Sequence, residues 1–158
     1  MLTELENEIV ERLKLIQLQN IVVQNIPALQ SSYAKAYDNP TVTVSIASLK
    51  FDKDRTTGVP SLQDFTAEIT CHIQSRAIRT HGNIVGIYEM YDEVRRALIG
   101  FKPTNFKNVY ATGFEPLYFN ENLLGYVATF ACVGMYAQDN SFDCPQAPLL
   151  QETQFNNA

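Results

Sequence analysis

The sequence predicts an α+β fold, a mostly antiparallel sheet with two amphipathic helices packed on one face. Two stretches, residues 2–18 and 83–99, place apolar side chains three and four residues apart, which is the period of one helix face. In several other stretches the apolar period is two, as in strands with one buried face. The order of helix, strands, helix and strands is typical of α+β domains. With 158 residues, 46% of them hydrophobic, the chain can bury a core as one domain.

The first helix is predicted over residues 2–18. Thr3 and Glu6 have the spacing of a capping box, in which each side chain satisfies an otherwise unbonded backbone N–H group. The apolar stripe of this helix consists of Leu2, Leu5, Ile9, Leu13 and Ile16. We expect that stripe to face the core.

Strands are predicted after this helix. The short apolar run 21–23 indicates a strand, and residues 27–40 read as a loop or one irregular helical turn. From Thr41 onward apolar and polar residues alternate strictly. The parity of that alternation changes at Leu49 and Phe51, which predicts a bulge or the end of the strand.

A second alternating run predicts an antiparallel hairpin. Residues 52–61 form a polar connection containing glycine and proline, and a regular strand follows over residues 65–74. One face of the hairpin should lie on the core and the other in water. Cys71 belongs to the apolar face and His72 to the polar face.

The second helix is predicted over residues 83–99, with Asn83 as its N-cap and Gly100 as its left-handed stop. Its stripe consists of Ile84, Ile87, Tyr91, Val94 and Leu98.

Two closing strands complete the predicted domain. One lies within residues 109–119 and is interrupted near Pro116, and the other covers residues 125–138. We therefore predict a single domain over residues 1–137. The following residues, 138–158, contain two prolines and many Gln and Asn, and are predicted to form an extended arm or tail.

Composition disfavours several classes of function. The formal net charge is −5, whereas sequence-independent binding to nucleic acid requires a basic surface. We find no apolar run near the roughly 20 residues that span a bilayer, so no membrane partner is expected. Three cysteines, an odd number, favour reduced thiols inside a cell.

The sequence offers no constellation of catalytic residues, and we expect no enzyme, metal or cofactor. Cys71 and His72 are adjacent, but on a strand they point to opposite faces and cannot share an ion. Cys132 and Cys144 lack metal-site spacing, and buried apolar thiols are the simpler explanation. The phosphate-binding and nucleophile motifs that we sought are absent.

The last strand suggests contact with another subunit, because both of its faces are apolar from Tyr126 to Tyr136. A central strand covered within the same chain is the alternative. Charged residues flank the hairpin loop and follow its second strand, where they could contact another protein. The candidate contact residues are Lys50, Lys53, Arg55, Arg76, Arg79, Tyr126, Phe130 and Tyr136.

One segment resembles a known family. Arg76, Arg79 and His81, followed by Gly86-Ile87-Tyr88 and the run 91–103, are similar to a segment of the Mu-type family of small tail-terminator-like phage proteins. That family is related in fold to the minor tail proteins that cap siphophage tails. Its pattern is an opening helix, a polar-tipped hairpin, a helix ending in Leu-x-Gly-Phe and two closing strands.

The resemblance implies a structural virion protein without enzymatic activity or cofactor. Such proteins form a hexameric ring at the distal end of the tail tube, stop polymerisation of the tube protein and offer a surface to the head connector. The implied location is the virion tail, after assembly in the host cytoplasm. The hairpin loop, residues 52–61, would become ordered on assembly.

Two alternatives remain open from the sequence. A head–tail connector or baseplate ring protein would share the small α+β architecture. A small intracellular enzyme or ligand-binding domain would instead use a pocket near Arg76, Arg79 and His81.

Overall fold

The structure, a computed structural model, describes residues 1–18, 20–26, 40–53, 62–120 and 123–137. It contains helices α1 (Leu2–Leu13) and α2 (Ile87–Leu98), and strands β1 (Val22–Asn25), β2 (Thr41–Phe51), β3 (Leu62–Ser75), β4 (Tyr110–Phe119) and β5 (Leu124–Ala137). This is the predicted α+β fold.

The five strands form one sheet in the order β1-β2-β3-β5-β4. The pair β1–β2 is parallel, and the other three pairs are antiparallel. The β2–β3 hairpin is confirmed, although residues 54–61 of its connection lie outside the described residues, as do residues 27–39 of the predicted loop. Because β5 lies between β3 and β4, it is an interior strand of the sheet.

Both helices pack on one face of the sheet. The core contains four buried residues from each helix: Leu5, Ile9, Val10 and Leu13 from α1, and Ile87, Met90, Val94 and Leu98 from α2. They meet the apolar sides of β2, β3 and β5, which include Val44, Ile69 and Phe130. Neither of these 12-residue helices is long and apolar enough to cross a membrane.

Helix α1 ends at Leu13, five residues before the predicted end. The Ile16 N–H donates to the Leu13 carbonyl over 3.0 Å, so the chain tightens into a turn that still brings Ile16 onto the core. The predicted capping box is absent, because Met1 is the N-cap and makes no side-chain cap bond. Glu6 instead accepts a hydrogen bond from Asn25 Nδ2 of β1 at 2.8 Å.

Helix α2 begins at Ile87 rather than near Asn83. His81 and Ile84 exchange backbone hydrogen bonds of 3.0 Å, which turns the preceding segment into a small loop and leaves Ile84 exposed rather than buried. Gly86 is the N-cap, and it lies so close to the backbone at Arg79 that a Cβ atom would come within 2.3 Å. The end of the helix agrees with the sequence: Gly100 has φ +82°.

Two of the three register shifts in the described strands fall where the sequence placed them, and the shift between Ala111 and Gly113 was not predicted. The β2–β3 register shifts between Ile46 and Ser48, which is the bulge that the change of parity predicted. In β4 the register shifts between Ala111 and Gly113 and again between Pro116 and Tyr118. Strand β5 agrees with its predicted range to within one residue at each end.

Candidate interaction surface

Strand β5 is covered mainly within its own chain. Tyr126, Ala128, Phe130 and Cys132 face the helices and are buried. On the opposite face Val127 and Val133 are half-buried and Ala131 is buried. The central-strand alternative therefore accounts for most of the apolar sequence that suggested a subunit contact.

This result corrects part of the predicted contact set. Phe130 has no exposed surface, so its side chain cannot contact a partner. Tyr126 is only 7% exposed, and its ring packs against three other aromatic rings. Towards each end of β5 lies an aromatic cluster with exposed rings, Tyr88 and Phe119 at one end and Phe51 and Tyr136 at the other.

The first cluster, called the Tyr126 cluster, joins α2, β4 and β5 through Tyr88, Tyr91, Phe114, Phe119 and Tyr126. Phe114 stacks between Tyr91 and Tyr126, with ring centroids 3.9 Å and 5.0 Å away. Tyr88 and Phe119 meet Tyr126 edge-on, at 6.3 Å and 5.8 Å. Burial raises the pKa of the Tyr126 phenol, and the neighbouring Tyr88 adds to the shift. Such offset and edge-on arrangements are those that aromatic pairs prefer.

The outer rim of the Tyr126 cluster is exposed. Tyr88 is 41% and Phe119 59% exposed, and the Arg79 guanidinium lies 5.9 Å from the centre of the Tyr88 ring. Thr80, the next residue, accepts the Gly86 N–H at 3.1 Å and donates to the Glu89 carboxylate. These bonds fix the segment that carries Arg79 to the start of α2.

The second cluster, called the Tyr136 cluster, lies at the other end of β5 and consists of Phe51, Phe65, Phe106 and Tyr136. Tyr136 stacks on Phe65 at 4.6 Å and on Phe51 at 5.8 Å, and Phe106 meets Phe65 edge-on. Gly134 makes room for these rings, since a Cβ there would come within 2.5 Å of Phe65. Phe51 and Tyr136 are exposed, whereas Phe65 and Phe106 are buried.

The predicted charged contact residues divide between these ends. Lys50 and Lys53 are exposed near the Tyr136 cluster, at the end of β2 and just after it. Arg76 and Arg79 are exposed after β3, on the side of the Tyr126 cluster. Arg55 lies outside the described residues. A contact role for these side chains and for Tyr136 stays a prediction.

The cysteine and histidine residues of β3 point to opposite faces, as the alternation predicts. Cys71 lies in the core, and burial raises the pKa of its thiol to about 12; burial likewise raises that of Cys132 to about 11. His72, expected in water, is buried beside Tyr118, and burial lowers its pKa. Among the described residues, no three His, Cys, Asp or Glu side chains gather as a metal site.

Sequence reasoning missed Tyr88, Phe114 and Phe119, which build the Tyr126 cluster with two residues that it had noticed. One signal was available, because Tyr88 and Tyr91 are three residues apart and lie on one side of α2. Phe114 and Phe119 lie on either side of a bulge, so their shared face follows only from the register.

Comparison with known proteins identifies a family. The family model described as Gp37 protein matches residues 9–157, nearly the whole chain. No curated protein matches. The chain therefore belongs to the Gp37 family and is a phage protein.

Proposed function

We propose that this phage protein of the Gp37 family is a tail terminator. In this proposal, copies of the chain form a hexameric ring at the distal end of the tail tube, stop polymerisation of the tube protein and offer a docking surface to the head connector. The role is structural, with no catalysis and no cofactor. The protein would act in the virion tail after assembly in the host cytoplasm.

The observation that supports a ring is the pair of exposed aromatic clusters at opposite ends of one strand. Tyr126 and Tyr136 are ten residues apart in β5, which corresponds to roughly 34 Å along a strand. A closed ring needs a head-to-tail interface, in which two different patches of each subunit meet. The two clusters differ in composition and lie far enough apart to serve as those patches.

The exposed lysines support a second contact. Lys50 and Lys53 border the hairpin connection, where they could meet the tube protein or a neighbouring subunit, as could Arg55. Reversing Lys50 and Lys53 to glutamate should leave the unfolding midpoint unchanged and weaken assembly. Normal tail length and infectivity in that variant would contradict this part of the proposal.

The decisive experiment measures the mass of the purified chain in solution, with and without tube protein, and images the products by negative-stain electron microscopy. We expect rings of one size and tubes whose length stops growing when the chain is added. Capping of the head vertex or baseplate instead of the tube would favour a connector or baseplate ring. A chain that stays monomeric and binds none of these partners would contradict the proposal.

An enzyme at Arg76, Arg79 and His81 remains the rival of another class. All three side chains are exposed, and Arg79 lies against Tyr88, which favours a contact surface over an enclosed reaction site. A small-molecule turnover that Arg79→Ala or His81→Ala abolishes would support the rival.

A further inference from the structure

We infer that the exposed rim of the Tyr126 cluster, formed by Arg79, Tyr88 and Phe119, is the docking site for residues 138–158 of a neighbouring copy of this chain. The inference rests on the proposed ring and names one contact within it.

Charge supports this pairing. Residues 138–158 contain three acidic residues, Asp139, Asp143 and Glu152, and no Lys, Arg or His. The rim carries Arg79, with Arg76 close in sequence and also exposed. Opposite charges on the two partners favour encounter and correct orientation.

The apolar side chains also match. The segment contributes Phe142 and Phe155 together with the pair Leu149-Leu150. The rim offers two rings that are 41% and 59% exposed, next to a guanidinium. Tyrosine and arginine on a packed base are the residues that most often dominate binding energy at protein interfaces.

Chain direction favours a neighbour over the same molecule. Strand β5 runs from the Tyr126 cluster to Ala137, so its last residue lies at the opposite end of the sheet. To reach its own rim, the segment would have to reverse and run back roughly 37 Å. In a head-to-tail ring the rim of the next copy lies ahead of it, and 21 extended residues reach at most about 70 Å.

The lysines at the Tyr136 cluster are the competing acceptor. Asp52 lies between Lys50 and Lys53 in the sequence there, whereas the planar Arg79 guanidinium lies over the Tyr88 ring. A guanidinium is more weakly hydrated than an ammonium group and binds carboxylates in a fixed geometry. For this reason we assign the segment to the Tyr126 rim.

The first test uses a fluorescent synthetic peptide of residues 138–158 and the full chain with its own segment neutralised by Asp139→Asn, Asp143→Asn and Glu152→Gln. We expect saturable binding that weakens with salt and becomes about tenfold weaker or more when Arg79→Glu is added, a change of about 1.4 kcal/mol or more. Lys53→Glu is the matched control, because it reverses a charge at the other end of β5 and should have little effect. Absence of binding, or a loss caused by Lys53→Glu alone, overturns the assignment.

The second test distinguishes a neighbour from the same chain. The neutralised variant keeps its rim but lacks the acidic side chains of its segment, and the Arg79→Glu variant keeps its segment but lacks the guanidinium of its rim. Neither variant should therefore form rings alone. Mixed above the peptide's dissociation constant, they should form dimers that grow no further, because each dimer lacks the second intact contact. If the peptide binds but the unsubstituted chain stays a monomer, the segment docks within its own chain and the inference fails.

The two proposals fail differently. Intact rings from the neutralised variant would leave the tail-terminator role standing and overturn this contact. Peptide binding and dimer formation by a chain that never caps a tube would preserve the contact and overturn the role. An unchanged unfolding midpoint, measured for each variant, confirms that none of these losses reflects misfolding.

Discussion

The two ends of β5 carry aromatic clusters that are built on different principles. At the Tyr136 end, one ring, Phe65, is 1% exposed and holds three other rings around it. At the Tyr126 end, the central Tyr126 is nearly buried, and Tyr88 and Phe119 extend outward from it. The first arrangement mainly stabilises the fold, and the second displays aromatic surface on a rigid base.

The comparison predicts that the largest stability loss lies at the Tyr136 end. Phe65→Ala should lower the free energy of unfolding by about 3–5 kcal/mol, since it removes a fully buried ring. The neighbouring Phe51, 51% exposed, is the control, and Phe51→Ala should cost about 1 kcal/mol or less. Denaturant unfolding measures both. Equal losses would show that the cluster has no buried centre.

Two glycines, one near each end of β5, test the same difference between the two clusters. A methyl group at Gly134 would meet the buried Phe65, so Gly134→Ala should cost about 1–3 kcal/mol. At Gly125 the added methyl would meet the ring of Tyr118, which is only half-buried, although its hydroxyl accepts a hydrogen bond from Gln74. Gly125→Ala should therefore cost less, and thermal unfolding of the two variants provides the comparison. A larger loss at Gly125 would contradict this account.

The stability of the fold should depend on pH through His72, which lies on the face of the sheet opposite the helices. Burial lowers the pKa of His72, so below its ordinary value near 6.5 the unfolded chain binds a proton that the folded chain does not. Stability should therefore fall as the pH drops below about 6.5, by at most about 1.4 kcal/mol per pH unit.

The variant His72→Gln should flatten the pH dependence of the free energy of unfolding in that range. The variant His81→Gln, which removes an exposed histidine, is the matched control. A flat profile in the unsubstituted chain would show that His72 is protonated when folded.

The smallest effect on stability is expected at the exposed rim of the Tyr126 cluster. The double variant Tyr88→Ala, Phe119→Ala should cost about 1 kcal/mol, since the rings are 41% and 59% exposed and lose chiefly ring–ring contacts. The same variant should abolish ring formation in a mass measurement, whereas Phe51→Ala should only weaken it, because it removes one exposed ring of the other patch. If both assemble normally, the two ends do not differ in the way proposed.

Periodicity predicted the helices and strands because it reports directly which side chains face the core. Most of the stripes of α1 and α2, the bulge in β2 and the range of β5 follow from spacing alone, although Leu2 and Ile84 were placed on the stripes and are exposed. The errors lie where a tertiary contact overrides local preference. Glu6 accepts a hydrogen bond from β1 rather than capping α1. Gly86 packs closely against the backbone at Arg79, and α2 begins later in the sequence than predicted.

The contact residues were harder to predict than the fold. Exposure depends on where a strand lies in the sheet, and sequence alone did not place β5 between β3 and β4. Phe130 consequently looked like a surface residue and is buried, whereas Phe119 was overlooked and is exposed. The clusters bring together residues from distant segments, so only the register reveals them.

The pairing of β3 with β5 has a consequence for how the chain folds. Its ladder joins Ser75 to Leu124 and Leu62 to Ala137, residues 49 and 75 positions apart. Contacts so distant in sequence carry a large loop-closure cost and place a protein among the slower folders. The centre of the sheet therefore cannot form until nearly all of the domain has been synthesised. Newly made chains should pass through a period of vulnerability to aggregation, and the rate of β3–β5 closure would limit how quickly competent subunits accumulate.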